Sequence, residues 1–245
     1  MKKVVIIQAR MTSTRLPGKV LMDLAGKPML EQQLKRLQLC KMVDDIVVAT
    51  TTNSTDDPVV DVAKKADCRS FRGSEHDVLS RYVGAAESVD ADVVIRITSD
   101  CPLIDPENTD AVIAELINHA SECDYTSNTL VRTYPRGLDV EAFFQDALLR
   151  MDRLSTSPVW REHVTLSART GFKDYFLLRS IEDTENNSDL RWTVDAPSDL
   201  ELVRRIYEGL DLSSKCRPYR EVLAYVRANP ELCTLNQDNT TLEFA

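Results

Sequence analysis

Nowhere does this 245-residue chain approach the ~20 consecutive apolar residues of a membrane span. Its N-terminal apolar run, Val4 to Ile7, is too short for the core of a signal peptide, so neither a membrane partner nor export is expected, and a cytoplasmic location is. The six cysteines (Cys40, Cys68, Cys101, Cys123, Cys216 and Cys233) contain no C-x-x-C pair. Spread singly through the chain, they exclude a disulfide framework or zinc site and read as reduced, buried thiols. Positive charge is scarce as well. With 30 Lys and Arg against 39 Asp and Glu, the net charge of −9 gives no drive toward nucleic acid, so any anion must be caught locally. Internal repeats and low-complexity linkers are also missing.

What remains is an alternating pattern. Short apolar runs at 3–8, 46–51, 69–72 and 93–97 read as strands, separated by segments of helical period at 28–40, 57–66 and 77–88 and followed by a helix at 107–120. That order predicts one α/β domain, a mostly parallel sheet flanked by helices. Beyond 125 the pattern loosens. Strands at 138–144 and 174–180, with helices at 145–154 and 158–169, predict a smaller antiparallel flap. Residues 191–195 read as a returning strand, followed by an amphipathic helix carrying Leu200, Val203, Ile206 and Leu210 and by a last helix at 218–228. The end of the chain, 235–245, reads as a polar, poorly ordered tail.

One stretch reverses the overall charge. Residues 1–27 hold six basic side chains against Asp23 alone, and QARMTSTRLPGK, residues 8–19, directly follows the first strand. In an open α/β sheet ligands bind at the carboxyl ends of strands, which places Arg10, Arg15 and Lys19 at the expected site. Two guanidinium forks and one mobile ammonium suit a polyphosphate, with Thr12, Ser13 and Thr14 adding hydroxyl donors. As a loop residue, Lys19 is expected to be exposed and to add little to stability.

Strand 93–97 runs into Thr-Ser99-Asp100-Cys-Pro, and residues 191–194 into Asp195-Ala-Pro. Either aspartate suits a helix cap. Facing one basic loop together, they suit a pair of Mg²⁺ ligands better. The turn at Gly73-Ser74 precedes a helix whose Arg81 can reach the same edge, and glycine there permits close approach of a flat ligand, while a plain loop-to-helix junction capped by Ser74 or Asp77 reads equally well. In the less regular half, Arg136 is a candidate for an acceptor's carboxylate or phosphate. Asp139, Glu141 and Glu162 are candidates for its hydroxyls, each of these charges reads equally well as a surface ion pair, and His163 suits a structural or a catalytic role.

Five ordered motifs carry a family resemblance: IIQARMTSTRLPGK, RITSDCPLI, SNTLVRTYPRGLDVE, REHVT and RWTVDAPSDL. On these the chain resembles the cytidylyltransferases that activate sugar acids, such as the synthetases of CMP-Kdo and CMP-sialic acid, and most of all the SpsF-type branch of spore-coat polysaccharide biosynthesis. The resemblance implies a Rossmann-like, nucleotide-diphospho-sugar transferase-like fold and transfer of CMP from CTP to a small acidic acceptor, releasing pyrophosphate. It assigns Arg10, Ser13, Arg15 and Lys19 to the triphosphate, backbone at Gln8 and Ala9 with Gly73-Ser74 to the cytosine, and Asp100 and Asp195 to Mg²⁺. Ser99 and Arg81 complete the nucleotide set, and Arg10, Arg15, Lys19 and Asp100 are the catalytic candidates. It further implies a nucleotide-binding half (1–125), an acceptor half (126–190) through which a homodimer forms, and a closing segment (191–234). Sugar-1-phosphate nucleotidyltransferases of related fold carry a glycine-rich loop after the first strand. The loop in this chain has no glycine before Gly18, so side chains rather than bare backbone would hold the phosphates. Two rivals remain open on sequence alone: a glycosyltransferase of similar fold and a non-catalytic nucleotide-binding protein.

Overall fold

The structure, a computed structural model, describes residues 1–237. Its elements in chain order begin with β1 (Lys3–Gln8), β2 (Asp23–Leu24), β3 (Lys27–Pro28), α1 (Met29–Leu37), β4 (Asp45–Thr51) and α2 (Asp57–Lys65). There follow β5 (Arg69–Gly73), α3 (Val78–Glu87), β6 (Val93–Thr98), α4 (Pro106–Asn118), β7 (Tyr125–Ser127) and β8 (Glu141–Phe144). The chain ends with α5 (Gln145–Leu154), α6 (Pro158–Glu162), α7 (Leu166–Arg169), β9 (Leu178–Ser180), α8 (Pro197–Gly209), α9 (Tyr219–Ala228) and α10 (Pro230–Thr234).

Seven strands form one sheet in the order β5-β4-β1-β6-β8-β7-β9, and β2 pairs with β3 in a small antiparallel sheet of their own. β1 lies inside the sheet, between β4 and β6, and its β-branched run is buried on both faces. Val5 and Ile7 meet the apolar sides of α1, α2 and α4, while Val4 and Ile6 meet α3 and α5. From β1 the chain builds outward through β4 to β5, then returns to place β6 on the other side of β1. This reversal puts the loops after β1 and β6 side by side at the carboxyl edge.

The fold class is the expected one, with differences in detail. The strands expected as a flap extend the main sheet instead: β8 pairs antiparallel with β6, β7 antiparallel with β8, and β9 parallel with β7. The helix expected over 158–169 is broken into α6 and α7 at Val164, whose φ of 52° has no place in a right-handed helix. The returning strand at 191–195 is an extended segment with a single bridge, Arg136 to Arg191. Its pull comes from elsewhere: Trp192 and Val194 pack into a third apolar cluster with α8 and α9, and the Val194 amide donates to the Asp100 carbonyl at 2.8 Å. At the crossing Gly137 is required. Its φ is +102°, and a Cβ there would stand 2.7 Å from the Trp192 backbone.

Two further expectations need correction. Cys216 is exposed, unlike the buried Cys40, Cys101 and Cys123. Of the tail assigned from 235, the first residues are packed: Leu235 lies on the third cluster and Asn236 is buried, donating to the Arg191 carbonyl at 3.0 Å and to Asp199 Oδ1 at 2.7 Å. Residues 238–245 lie outside the described residues.

Candidate active site

Two cavities open at the carboxyl edge of the sheet and share one wall. The first, about 330 Å³, is lined by Gln8, Ala9, Arg10, Ser13 and Thr14 from the basic loop and by Arg81 and Ser99. The second, about 530 Å³, lies over β8 and is lined by Thr129, Arg132, Arg136, Asp139, Glu141 and Arg169. Arg15, Arg96, Thr98, Asp100, His163 and Asp195 face both.

The basic loop is shaped before any ligand arrives. Gly18, at φ 73°, lets its amide close back on the Met11 carbonyl at 2.8 Å. Buried Asp56 accepts from the Met11 amide at 2.7 Å, and Glu75 accepts from Thr12 at 2.7 Å while standing 3.7 Å from Arg10. Thr12 is therefore spent on anchoring the loop and does not line the cavity.

At the shared wall, Lys19 is only 8% exposed, contrary to the expectation for a loop lysine. Its ammonium lies 2.9 Å from Asp195 Oδ1, 3.5 Å from Asp100 Oδ2 and 2.8 Å from the Val194 carbonyl. Burial opposes its charge, and the two aspartates overcome that cost and hold the amine above the usual lysine range. Burial likewise pushes Asp100 up, but Lys19 and the Thr98 hydroxyl outweigh it and keep the carboxyl below its usual range. Asp195 is also gripped by Arg15 at 3.0 Å and by buried Arg191 at 2.6 Å.

Neither aspartate is spent on a helix cap. Asp105 caps α4 through the Asn108 amide at 2.9 Å. At α8 the acceptor is Asp199, which takes the Asp195 and Ala196 amides at 2.9 and 2.8 Å. Both carboxylates thus point to the site's cations.

Other candidates fall differently from the sequence-based expectation. Gly73 and Ser74 stand behind Arg81 rather than on the cavity wall. A Cβ on Gly73 would lie 3.2 Å from Arg81 Cγ, and the Ser74 carbonyl accepts from Arg81 Nη1 at 2.8 Å. Arg81 itself is 2% exposed, and burial together with Arg10 pushes its pKa down. Glu162 lines the first cavity and not the second, apart from Arg136, Asp139 and Glu141. Asp139 and Glu141 do face the second cavity, but with their oxygens already engaged. Arg132 holds Asp139 through two bonds of 2.7 and 2.8 Å, while Glu141 receives Arg96 at 2.5 Å, Tyr125 at 2.8 Å and a short bond from Thr165. Both carboxylates are thus held in place by neighbouring side chains where they face the second cavity.

Sequence reasoning missed Arg96, Arg132 and Arg169. A lone arginine inside the apolar strand Val-Val-Ile-Arg-Ile was a signal for the first; Arg132 sits in the SNTLVRTYPRGLDVE motif and Arg169 at the end of α7, where neither spacing nor periodicity says which cavity an arginine faces.

Comparison with known proteins agrees with this geometry. The family model for cytidylyltransferases matches residues 4–229. The spore coat polysaccharide biosynthesis protein SpsF of Bacillus subtilis is 33% identical over 240 residues, spanning 94% of this chain and 95% of that protein. A solved cytidylyltransferase from Leptospira borgpetersenii superposes with a TM-score of 0.91 at 31% identity, covering 95% of this chain and 97% of its own. A CMP:2-keto-3-deoxy-manno-octonic acid synthetase solved with CTP shares the fold at a TM-score of 0.67 and 22% identity, over 86% of this chain and all of that one.

Proposed function

The chain belongs to the cytidylyltransferase family of CTP-dependent nucleotidyltransferases, and on that premise we propose that it transfers CMP from CTP to a small acidic acceptor, a sugar acid or a relative of one, in surface polysaccharide or glycan biosynthesis. The observation that carries this reading is the pair of cavities meeting at one charged wall. CTP occupies the first, the acceptor the second. An acceptor oxygen attacks the α-phosphorus, the new P–O bond replaces the bond to the β-phosphate, and pyrophosphate leaves. Arg10, Arg15 and Lys19 neutralise the charge that grows on the leaving group. His163, which lines both cavities, is the side chain we assign to receive the hydroxyl proton. Most of the acceleration then comes from holding two reactants in line across a wall that both touch.

The donor set fits Mg²⁺. Asp100 and Asp195 flank a cationic group already, the Lys19 ammonium, and Mg²⁺ commonly takes one or two carboxylates with phosphate and water oxygens. Bound there, the ion would supply charge neutralisation on the phosphates. Lys19 and Arg15 exchange their Asp195 contact for phosphate oxygens as CTP enters.

A homodimer through the 126–190 half, in the cytoplasm, completes the reading. Val131, Val159, Tyr175 and Leu177 of that half are large apolar side chains left about half exposed, and sedimentation of the purified protein tests whether a second copy covers them.

The test of the activity is the melting temperature of the protein with Mg²⁺ and each nucleoside triphosphate. A ligand at a hundredfold excess over Kd stabilises the fold by about 2.7 kcal/mol. A rise selective for CTP, followed by pyrophosphate release with a sugar acid, supports the proposal. A rise with nucleotide sugars and none with CTP overturns it.

A further inference from the structure

The second chamber holds a cation with no anion assigned to it. Arg169 ends the short helix α7 and faces the chamber beside Glu141 and Thr129. Three other arginines that line the chamber are matched with carboxylates: Arg132 with Asp139, Arg96 with Glu141, and Arg15 with Asp195. Arg169 has no carboxylate within 4.0 Å among the described residues. Its hydrogen bond, from Nη2 to the Thr129 carbonyl, is 3.5 Å long, at the outer limit for such a bond. Glu141 is near enough to feel it, since burial raises that carboxyl and Arg96, then Arg169, outweigh burial and lower it. Glu141 already receives Arg96 on one oxygen and Tyr125 and Thr165 on the other, and it stands beyond ion-pair distance of Arg169.

This placement is held against a backbone cost. Val164, β-branched and fully buried, sits at φ 52°, a region that such residues avoid. The strain, of order 1–3 kcal/mol, persists only where the surroundings fix it. They do so here: Thr165 is bonded to Glu141, and α7 starts immediately after it.

We propose that Arg169 binds the anionic group of the acceptor, a carboxylate or a phosphate, and is the residue by which the enzyme selects acidic over neutral acceptors. The inference rests on the cytidylyltransfer reading and adds the acceptor's anchor to it. A guanidinium fork meets either oxyanion through two parallel bonds. A neutral acceptor of the same shape would seal Arg169 from water without a partner, and a site left with an unpaired buried polar group rejects its ligand strongly.

The experiment follows pyrophosphate release by the full chain with CTP and Mg²⁺, using 3-deoxy-2-ketoaldonic acids, their methyl esters and hexose 1-phosphates as acceptors. We expect the acids to react and the esters to react with kcat/KM at least about 100-fold lower. Reaction with the hexose 1-phosphates and not the acids would make the anion the attacking group rather than an anchor and would overturn the proposal. Arg169→Gln should raise the KM for the acidic acceptor at least tenfold, leave the KM for CTP unchanged and shrink the preference for acid over neutral, with Arg169→Lys recovering part of the loss. Esters as good as their acids, a preference that survives Arg169→Gln, or no reaction with any charged acceptor while CTP still raises the melting temperature would each overturn the proposal. Absence of the CTP-induced rise would instead strike the underlying reading. The acid and ester comparison on the unaltered protein stands even if a variant fails to fold.

Discussion

Cations line both chambers, but they differ in exposure. In the first, Arg10 and Arg15 are a third or more exposed, Arg15 resting with Lys19 on Asp195 and Arg10 standing near Glu75. In the second, Arg96 and Arg132 are more enclosed and are paired with Glu141 and Asp139. One chamber presents open guanidinium groups, the other a closer frame around Arg169, which has no carboxylate within 4.0 Å among the described residues. The lesson is that lining a cavity and being available to a ligand are separate properties, and exposure and hydrogen-bond partners decide the second.

The largest effect that would break this contrast is in the frame. Arg96→Met should lower unfolding stability by about 3–5 kcal/mol, because it leaves Glu141 charged in the interior, and denaturant titration reads it. A loss below about 1 kcal/mol would mean that the pair is not what holds the frame. In the first chamber, Lys19→Met should cut turnover by ~10²-fold or more, measured as pyrophosphate release. It should also change stability, since the ammonium is buried between two carboxylates rather than exposed. Gly137→Ala is expected to cost roughly 1–3 kcal/mol, with melting temperature as the readout, because the left-handed backbone and the Trp192 main chain both oppose a Cβ.

Acid separates the chambers more gently. Glu141 and Asp100 are held below the usual carboxylate range, for Glu141 because Arg96 outweighs burial and for Asp100 because Lys19 does. Their stabilising contribution is therefore complete above the unfolded carboxylate pKa and is lost as pH falls toward the lowered folded values. Glu141→Gln should flatten the acid limb of a plot of stability against pH. Smallest of all is Glu75→Gln: the Arg10 contact is long and partly exposed, so the KM for CTP should move less than about fivefold, and a larger change would make Glu75 part of the frame.

The first chamber was legible because its parts are local. The β-branched runs of β1 and β6 declare buried parallel strands, and strand-end loops at a switch point are where ligands bind, so Arg10, Arg15, Lys19 and Asp100 could be placed from spacing alone. Where reading failed, distant contacts had overridden a local pattern. Residues 191–195 look like a strand, but Trp192 and Val194 are drawn toward α8 and α9. Residues 158–169 look like one helix, and the bond from Thr165 to Glu141 helps hold the break at Val164. Asp139 and Glu141 look like free acceptors until Arg132 and Arg96 are found on them.

By itself, then, the sequence determined the α/β class, the central strands, the basic loop and the family, all written in runs of a few residues. Only the tertiary structure decided that Lys19 is buried, that Asp195, 176 residues away, is its partner, and that Arg169 faces a chamber with no carboxylate of its own. Ion pairing and burial depend on which remote segments the closed chain brings within a few ångströms, and no local periodicity encodes that distance.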